Sequence, residues 1–423
     1  MTITIGLDGQ NLALSAGTGI ATYARTLHQT IAGLGWETFG LFDIDAGTDP
    51  ELSGILFFER LMAAAKRKAP ALHKLKTRFG VLPPLVDVGL ESVDIRPIGE
   101  RIPSFDRIVS GRDLFRAAYQ HFRRTGTLAE IRLKRPPDIM HWTYPMPLRV
   151  EGAANVYTVH DLVPLRMPYM TLDDKRVHHS LVRACVLAAE RICTVSRVSA
   201  EELVELCPEA AQKIVTTYQA CDISGGGADA PEEGERVVGS LGLQPRCYFL
   251  YYGALEPKKN VSRLIEAHVR SGVETPLVIV TGRSWNSEGE RALIDGMRGH
   301  TDKLIVLEYL PRGILQALVR NAKAVTFPSL HEGFGLPVLE AMQLGVPVLT
   351  GNTGGVVEVA GEAGLLVDPY DVADIRRGIS RLDQDAAYRS ALIEKGFTQA
   401  RKFSTDRYGS VMHHLYESIL AHG

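Results

Sequence analysis

Cysteine is scarce in this chain, and no stretch stays apolar for long. The five cysteines, Cys185, Cys193, Cys207, Cys221 and Cys247, are odd in number and include no CxxC pair. Neither a disulfide framework nor a zinc site is suggested by that, and buried free thiols are the expectation. No run reaches the roughly 18 apolar residues of a membrane span, and the opening MTITIGLDGQ has no basic start leading into an apolar stretch. A cytoplasmic protein in a reducing environment is therefore expected. An excess of one charge is missing too, since the net charge is -2. The chain as a whole is thus not suited to nucleic acid or to acidic membranes, and any basic surface must be local.

What is present is ordinary globular composition, with 45% hydrophobic and 23% charged residues over 423 positions. That length suits two domains of about 200 residues each. ITIGLDG reads as a buried strand, and after a loop IATYARTLHQTIAGLGW carries apolar residues at helical spacing. FGLFDI, IMHW, VYTVH and RICTVS are further strands, with amphipathic helices such as LDDKRVHHSLVRACVLAAE between them. A second alternating series runs from CYFLYYGAL to GLLVDP. Alternation of this kind predicts α/β architecture, a parallel sheet covered on both faces in each half. The glycine-rich, acidic ISGGGADAPEEGE reads as a linker. The expected domains are 1–225 and 235–403, with 404–423 as one more amphipathic helix, and residues 225–234 as a hinge.

Residues 57–135 do not fit the alternation. They contain Lys66, Arg67, Lys68, Lys74, Lys76 and Arg78 with no acidic residue among them. This is either a solvated helical face or a contact for anionic lipid, where each cation contributes about 1 kcal/mol. Nucleic acid is disfavoured, because aromatic residues are sparse among these cations.

Chemistry concentrates in four places. In HEGFGLPVLEA, Gly333 and Gly335 turn the chain between the strand AVTFPS and a helix that Pro337 opens as its first residue. Backbone N–H groups around Phe334, Gly335, Leu336 and Val338 make an anion site there. Glu332 before the turn and Glu340 in the first helical turn flank one crevice, where carboxylates accept bonds from sugar hydroxyls. Both glutamates also have a bland reading, as dipole complement and surface charge. In GALEPKKN, Gly253 ends a strand, and Lys258 and Lys259 put positive charge where a diphosphate sits. AGTGIATY carries Gly17 and Gly19, which permit close backbone approach. Thr22 stands where the third glycine of a dinucleotide fingerprint belongs, so a nicotinamide enzyme is disfavoured. YTVHDLVP ends a strand on His160 and Asp161. Asp43-Ile-Asp45 and Asp383-Gln-Asp385 imitate a metal-binding D-x-D, but both lie far from these segments and are read as chance.

These segments together resemble glycosyltransferase family 4, the retaining sugar-nucleotide enzymes of the B-type fold, over nearly the whole chain and most closely over residues 248–369. The wording of TGIATYARTL, HDLVP and GALEPKKN is most similar to bacterial polysaccharide mannosyltransferases. The resemblance implies two Rossmann-like doubly wound domains facing a central cleft, with the C-terminal helix crossing back to an acceptor-binding N-terminal domain. It implies a nucleotide-diphosphate sugar, GDP-mannose first, as donor, and a glycan or lipid-linked oligosaccharide as acceptor. UDP-glucose, UDP-GlcNAc and GDP-fucose remain alternative donors. No cofactor or metal is required, since lysines neutralise the diphosphate, and a peripheral position on the inner membrane face would suit a lipid acceptor.

By the same resemblance Glu332 contacts the donor sugar, Glu340 the ribose, and Lys259 with Lys258 the diphosphate. Gly17, Gly19, Gly253, Gly282, Gly333, Phe334, Gly335 and Leu336 line the donor, His160 meets the sugar near its reacting carbon, and Asp161 meets the acceptor or orients His160. Lys258 stands where arginine is commoner, and Val357 where proline is usual. A nucleotide-sugar 2-epimerase or a silent sugar-binding protein of the same fold would share these features.

Overall fold

Strands that are buried at every position, rather than at alternate ones, form the centre of both halves of the chain. IMHW, FLYY, AVTF and VLTG are each buried at all four positions, as expected for parallel strands covered on both faces. The computed structural model describes residues 2–13, 19–63, 70–91, 102–171, 174–223, 231–282, 288–297, 303–308 and 310–421. Two units separate by their internal contacts: Met1–Leu165, Asp173–Thr217 and Thr405–Gly423 form the first, and Arg166–Leu172 with Tyr218–Ser404 the second.

In the first unit the strands are β1 (Thr4–Asp8), β2 (Glu37–Phe42), β3 (Val86–Val88), β4 (Arg107–Ser110), β5 (Ala129–Ile131), β6 (Ile139–Trp142), β7 (Leu148–Val150), β8 (Ala154–Val159), β9 (Arg191–Thr194) and β10 (Ile214–Thr216). Eight of them run in the order β10-β9-β8-β6-β1-β2-β4-β3, while β5 and β7 pair separately. The strand order reverses direction between β1 and β6. Only β3 against β4 is antiparallel among the described pairings of this unit. The three-residue strands β3 and β5 explain why residues 57–135 defied the alternation, since so short a run shows no periodicity. At the core, Trp142 stacks on Tyr157 with centroids 6.1 Å apart, and its indole N–H donates to Asn155 Oδ1 at 3.0 Å.

The C-terminal helix Thr405–Leu420 packs in this unit against the helix Gly19–Gly33. It buries Tyr408, Met412, Leu415, Tyr416 and Ile419, a one-sided stripe at helical spacing. The stripe carries a polar graft. Tyr416 Oη lies 2.6 Å from His141 Nδ1, His141 Nε2 lies 2.7 Å from Thr158 Oγ1, and that hydroxyl lies 2.8 Å from Tyr23 Oη. Burial drives the His141 imidazole down to about 3, so the ring is neutral, with one nitrogen donating and the other accepting.

In the second unit β11 (Phe249–Tyr252), β12 (Leu277–Thr281), β13 (Leu304–Glu308), β14 (Ala324–Phe327), β15 (Val348–Gly351) and β16 (Gly364–Val367) form a sheet in the order β13-β12-β11-β14-β15-β16. All its described pairings are parallel. The order reverses between β11 and β14, which opens a crevice at the carboxyl ends of those two strands.

Several expectations change. The end of the expected linker is the helix Pro231–Ser240, because a proline followed by two glutamates is a helix start; residues 224–230 lie outside the described residues. The passage between units falls at 217–218 rather than at 225, and Arg166–Leu172 belongs with the second unit. Cys185, Cys193, Cys207 and Cys221 are buried, but Cys247 is exposed. The D-x-D aspartates have structural partners. Asp45 pairs with Arg60 and Arg112 at 2.8 and 2.9 Å, and Asp383 with Lys323 at 2.6 Å.

Tyr416→Phe should leave His141 Nδ1 buried without its partner, at a cost of ~1–2 kcal/mol. A lower denaturation midpoint at unchanged slope is the expected result, and an unchanged midpoint would contradict the network.

Candidate active site

The crevice between β11 and β14 collects the two lysines and the first glutamate. The chain leaves β11 at Gly253, and residues 257–259 make one turn of 3-10 helix. Asn260 then adopts a left-handed conformation, φ 61°, which asparagine tolerates better than most residues. Its buried amide donates to the carbonyls of Pro328 at 3.0 Å and Pro369 at 2.6 Å. Asn260 thereby ties the loop after β11 to those after β14 and β16. A further bond, Leu330 N–H to the Lys258 carbonyl at 2.8 Å, closes the same seam.

So held, Lys259 Nζ meets Glu332 Oε1 at 2.7 Å. The ammonium also lies 5.0 Å above the Phe327 ring, a favourable cation–π placement. The carboxylate is almost wholly buried, with 8% of its side chain exposed. Burial pushes its proton affinity up, but the charges of Lys259 and Lys258 and the hydrogen bond from Lys259 outweigh that and hold the carboxyl below its usual range. Glu332 is therefore ionised at neutral pH.

Its backbone is fixed from the loop after β15. Gly355 N–H donates to the Glu332 carbonyl at 2.7 Å, and Thr353 Oγ1 to that of Leu330 at 2.7 Å. Gly354, at φ +75°, passes so close that a Cβ there would sit 2.5 Å from the Glu332 carbonyl oxygen. Only glycine fits both the angle and the gap.

Glu340 lies in the opposite environment. The helix Leu336–Gln343 begins after Gly335, at φ +97°, where a Cβ would meet Val356 at 2.7 Å. Pro337 is its second residue rather than its first, and Glu340 falls in the second turn rather than the first. The cap is not closed by a side chain. Tyr252, the last residue of β11, shares its hydroxyl proton between Glu340 Oε2 at 2.8 Å and the Pro337 carbonyl at 3.0 Å. Burial raises the Glu340 carboxyl, against the hydrogen bond from Tyr252 and the charge of Arg312. Two carboxylates of one segment are thus driven in opposite directions by their surroundings.

The remaining residues divide plainly. Gly333 is buried in the turn, and Gly282 is exposed just beyond β12. The Phe334 ring packs edge-on against Phe403 at 5.5 Å, so only its backbone is available to a ligand. In the first unit, His160 Nε2 is 2.8 Å from the Thr143 carbonyl, and the Tyr23 ring meets the imidazole edge-on at 4.8 Å. Asp161 Oδ1 accepts the N–H of Val163 at 3.2 Å, a side-chain turn that leads into the short helix Val163–Arg166. Gly19 is exposed at the start of its helix, and Gly17 lies outside the described residues. No group of His, Cys, Asp or Glu able to hold a metal converges among the described residues.

Asn260, Tyr252 and the Asp8–Thr143 contact at 2.6 Å escaped the sequence reading. An asparagine between KK and an apolar helical run is a weak signal for a left-handed cap. Nothing in the sequence pairs Tyr252 with a residue 88 positions away.

Lys259→Met should strand Glu332 in a buried site, so that its folded-state proton affinity rises above the unfolded one. A depressed carboxyl stabilises above its unfolded pKa, whereas a raised one loses stability as pH climbs through the folded value. The deficit of the variant against wild type should therefore be small near pH 4 and grow toward pH 7, as read by urea denaturation. A deficit that does not vary with pH would show that the pair carries no electrostatic stabilisation.

Known proteins resemble this chain in sequence and in fold. Residues 240–399 match the family model described as glycosyl transferases group 1. The chain is 36% identical over 265 residues to the O-antigen chain mannosyltransferase B of Escherichia coli, covering 61% of this chain and 68% of that protein. It is 30% identical over 257 residues to the serotype-specific mannosyltransferase WbdA of Escherichia coli, 59% of this chain but 31% of that one, so it spans about a third of WbdA's length. Among solved structures, sucrose-phosphate synthase from Thermosynechococcus elongatus superposes with a TM-score of 0.69 over 100% of both chains at 16% identity, a likeness of fold. The chain belongs to the group 1 glycosyl transferases, with two Rossmann-like domains of the B-type glycosyltransferase fold.

Proposed function

We propose that this glycosyltransferase moves mannose from GDP-mannose, with retention of configuration, onto a glycan or lipid-linked oligosaccharide of a cell-surface polysaccharide. The observation that carries the place of the donor site is the Lys259–Glu332 pair at the β11/β14 switch point, where open α/β sheets bind ligands. Mannose is supported by the two mannosyltransferase relatives, whose names refer to O-antigen chains and serotype.

In this reading Lys259, an ammonium with three N–H donors of which Glu332 takes one, turns the others to the diphosphate. Lys258 adds charge beside it. Glu332 accepts a sugar hydroxyl and Glu340 the ribose hydroxyls, while backbone N–H groups of Gly333, Phe334, Gly335 and Leu336 receive phosphate or sugar oxygens. His160 contacts the sugar, and Gly17, Gly19, Gly253 and Gly282 leave room for the donor. Asp161 serves the acceptor side. The bond from the anomeric carbon to the phosphate oxygen breaks as the acceptor oxygen bonds on the same face. The acceptor's proton passes to the departing diphosphate, so no protein base is needed. Preorganised cations that stabilise the leaving group supply the main catalytic effect.

A cytoplasmic, peripheral position at the inner membrane face fits a lipid-linked acceptor. It is supported by the helix Ala71–Arg78, which carries Lys74, Lys76 and Arg78 beside Leu72, 63% exposed, and Leu75, 51% exposed. Lys66, Arg67 and Lys68 lie outside the described residues.

Across a panel of nucleotide sugars, GDP-mannose should give the largest thermal stabilisation, a ligand at 100 times its Kd adding ~2.7 kcal/mol. A larger response to UDP-glucose would overturn the donor assignment, and an epimer formed from donor alone would overturn transfer. Glu340→Ala should weaken nucleotide binding about 10- to 100-fold, and Glu332→Ala should lower kcat as well, each losing a charge-assisted hydrogen bond of roughly 1.5–3 kcal/mol. Equal donor affinity in wild type and both variants would sink these roles. Replacing the six cations between 66 and 78 should abolish binding to anionic liposomes, and retained binding would reject the membrane contact.

A further inference from the structure

The first unit holds a polar cluster at the carboxyl ends of β1 and β6 that, His160 apart, the donor reading leaves unused. Asp8 ends β1 and is completely buried. Its Oδ2 accepts the backbone N–H of Thr143 at 2.6 Å, and the carbonyl of that same residue faces His160 Nε2 at 2.8 Å. A carbonyl can only accept, so Nε2 carries the proton, and in the neutral ring Nδ1 is then the acceptor. Residue 143 is gripped by the carboxylate on one side and grips the imidazole on the other.

The opposite wall is fixed as well. Tyr23 meets the imidazole edge-on, and its hydroxyl is anchored to Thr158 at 2.8 Å. The ring is therefore held on two sides.

Burying a carboxylate is costly, and an aspartate retained at such a place needs a reason. Asp8 Oδ1 is buried without a hydrogen-bond partner in good geometry, so the contact to Thr143 is the short bond that this side chain keeps. Burial pushes its carboxyl up to about 6, against the hydrogen bond from the Thr143 backbone. A chain that needed only to fill the end of β1 would avoid that cost with an apolar residue.

We propose that Asp8 is the positioning residue for His160, fixing through Thr143 both the orientation of the imidazole and the tautomer with its proton on Nε2. Its consequence for turnover rests on the reading that His160 contacts the donor sugar; its consequence for the tautomer does not.

The full chain labelled with nitrogen-15 histidine tests this. Wild type should show His160 as the Nε2–H tautomer. Asp8→Ala should give mixed tautomers and about 10-fold lower kcat, with the donor KM within about 2-fold, as expected for a misoriented group. Asp8→Asn keeps an oxygen acceptor and should restore the wild-type tautomer and most of kcat. If Asp8→Ala does not fold, Asp8→Ser, with a hydroxyl too short to span to Thr143, takes its place. In a His160→Ala background the Asp8 substitution should cost nothing more in kcat. A folded Asp8→Ala or Asp8→Ser that keeps the wild-type tautomer overturns the proposal, as does full additivity with His160→Ala. If His160→Ala itself keeps wild-type kcat, the donor-contact reading fails and the tautomer alone decides the role of Asp8.

Discussion

The ion pair between Lys259 and Glu332 is the constraint around which the second unit is arranged. Two opposite charges at 2.7 Å in a nearly closed site stabilise only if each is held in place, because the cost of desolvation otherwise exceeds the attraction. The surrounding bonds read as the means of holding them. Asn260 fastens the lysine loop to the loops after β14 and β16. The 353–355 segment clasps the glutamate backbone from the other side. Neither lysine nor glutamate is itself part of a strand or long helix, yet both are fixed by what the strand ends bring together.

That arrangement also separates two chemically identical side chains. Glu332 is paired with Lys259, feels the charge of Lys258 and is held ionised, whereas Glu340 has a tyrosine hydroxyl and the charge of Arg312 and is driven the other way. Environment, not residue type, distinguishes them. A carboxylate that stays charged beside a cation is fitted to orient hydroxyls against a polar ligand. One that is reluctant to ionise is fitted to a site that a ligand fills and dries.

Much of this was legible in the sequence, and the reasons are specific. The runs IMHW, FLYY and AVTF announce buried parallel strands because apolar residues do not alternate with charged ones in them. Gly335, Pro337 and the two lysines mark a turn, a helix start and a charge by chemistry that acts within a few residues. The placement of Glu340 in a second turn was misread, since an error of one residue in a helix start moves a side chain to another turn. The helix Pro231–Ser240 was hidden by neighbouring glycines, although its proline and glutamates signal a start. What was not legible are contacts between distant residues. Tyr252 with Glu340, and Asn260 with Pro369, depend on strand order, which local patterns do not encode.

The first unit applies the same logic with different groups. Its sheet also reverses order, between β1 and β6, and there too a buried carboxylate reaches across the reversal, from Asp8 to Thr143. In the second unit the partner is a charged side chain, so the carboxylate becomes part of a polar site. In the first the partner is a backbone N–H, so the carboxylate fixes the course of the chain beyond β6 and, with it, the acceptor that His160 finds. A reversal of strand order leaves a gap between diverging connections, with few backbone groups to satisfy what enters it. A buried charge spanning the gap therefore fixes the geometry of both walls, and that gives each unit a reason to spend one there.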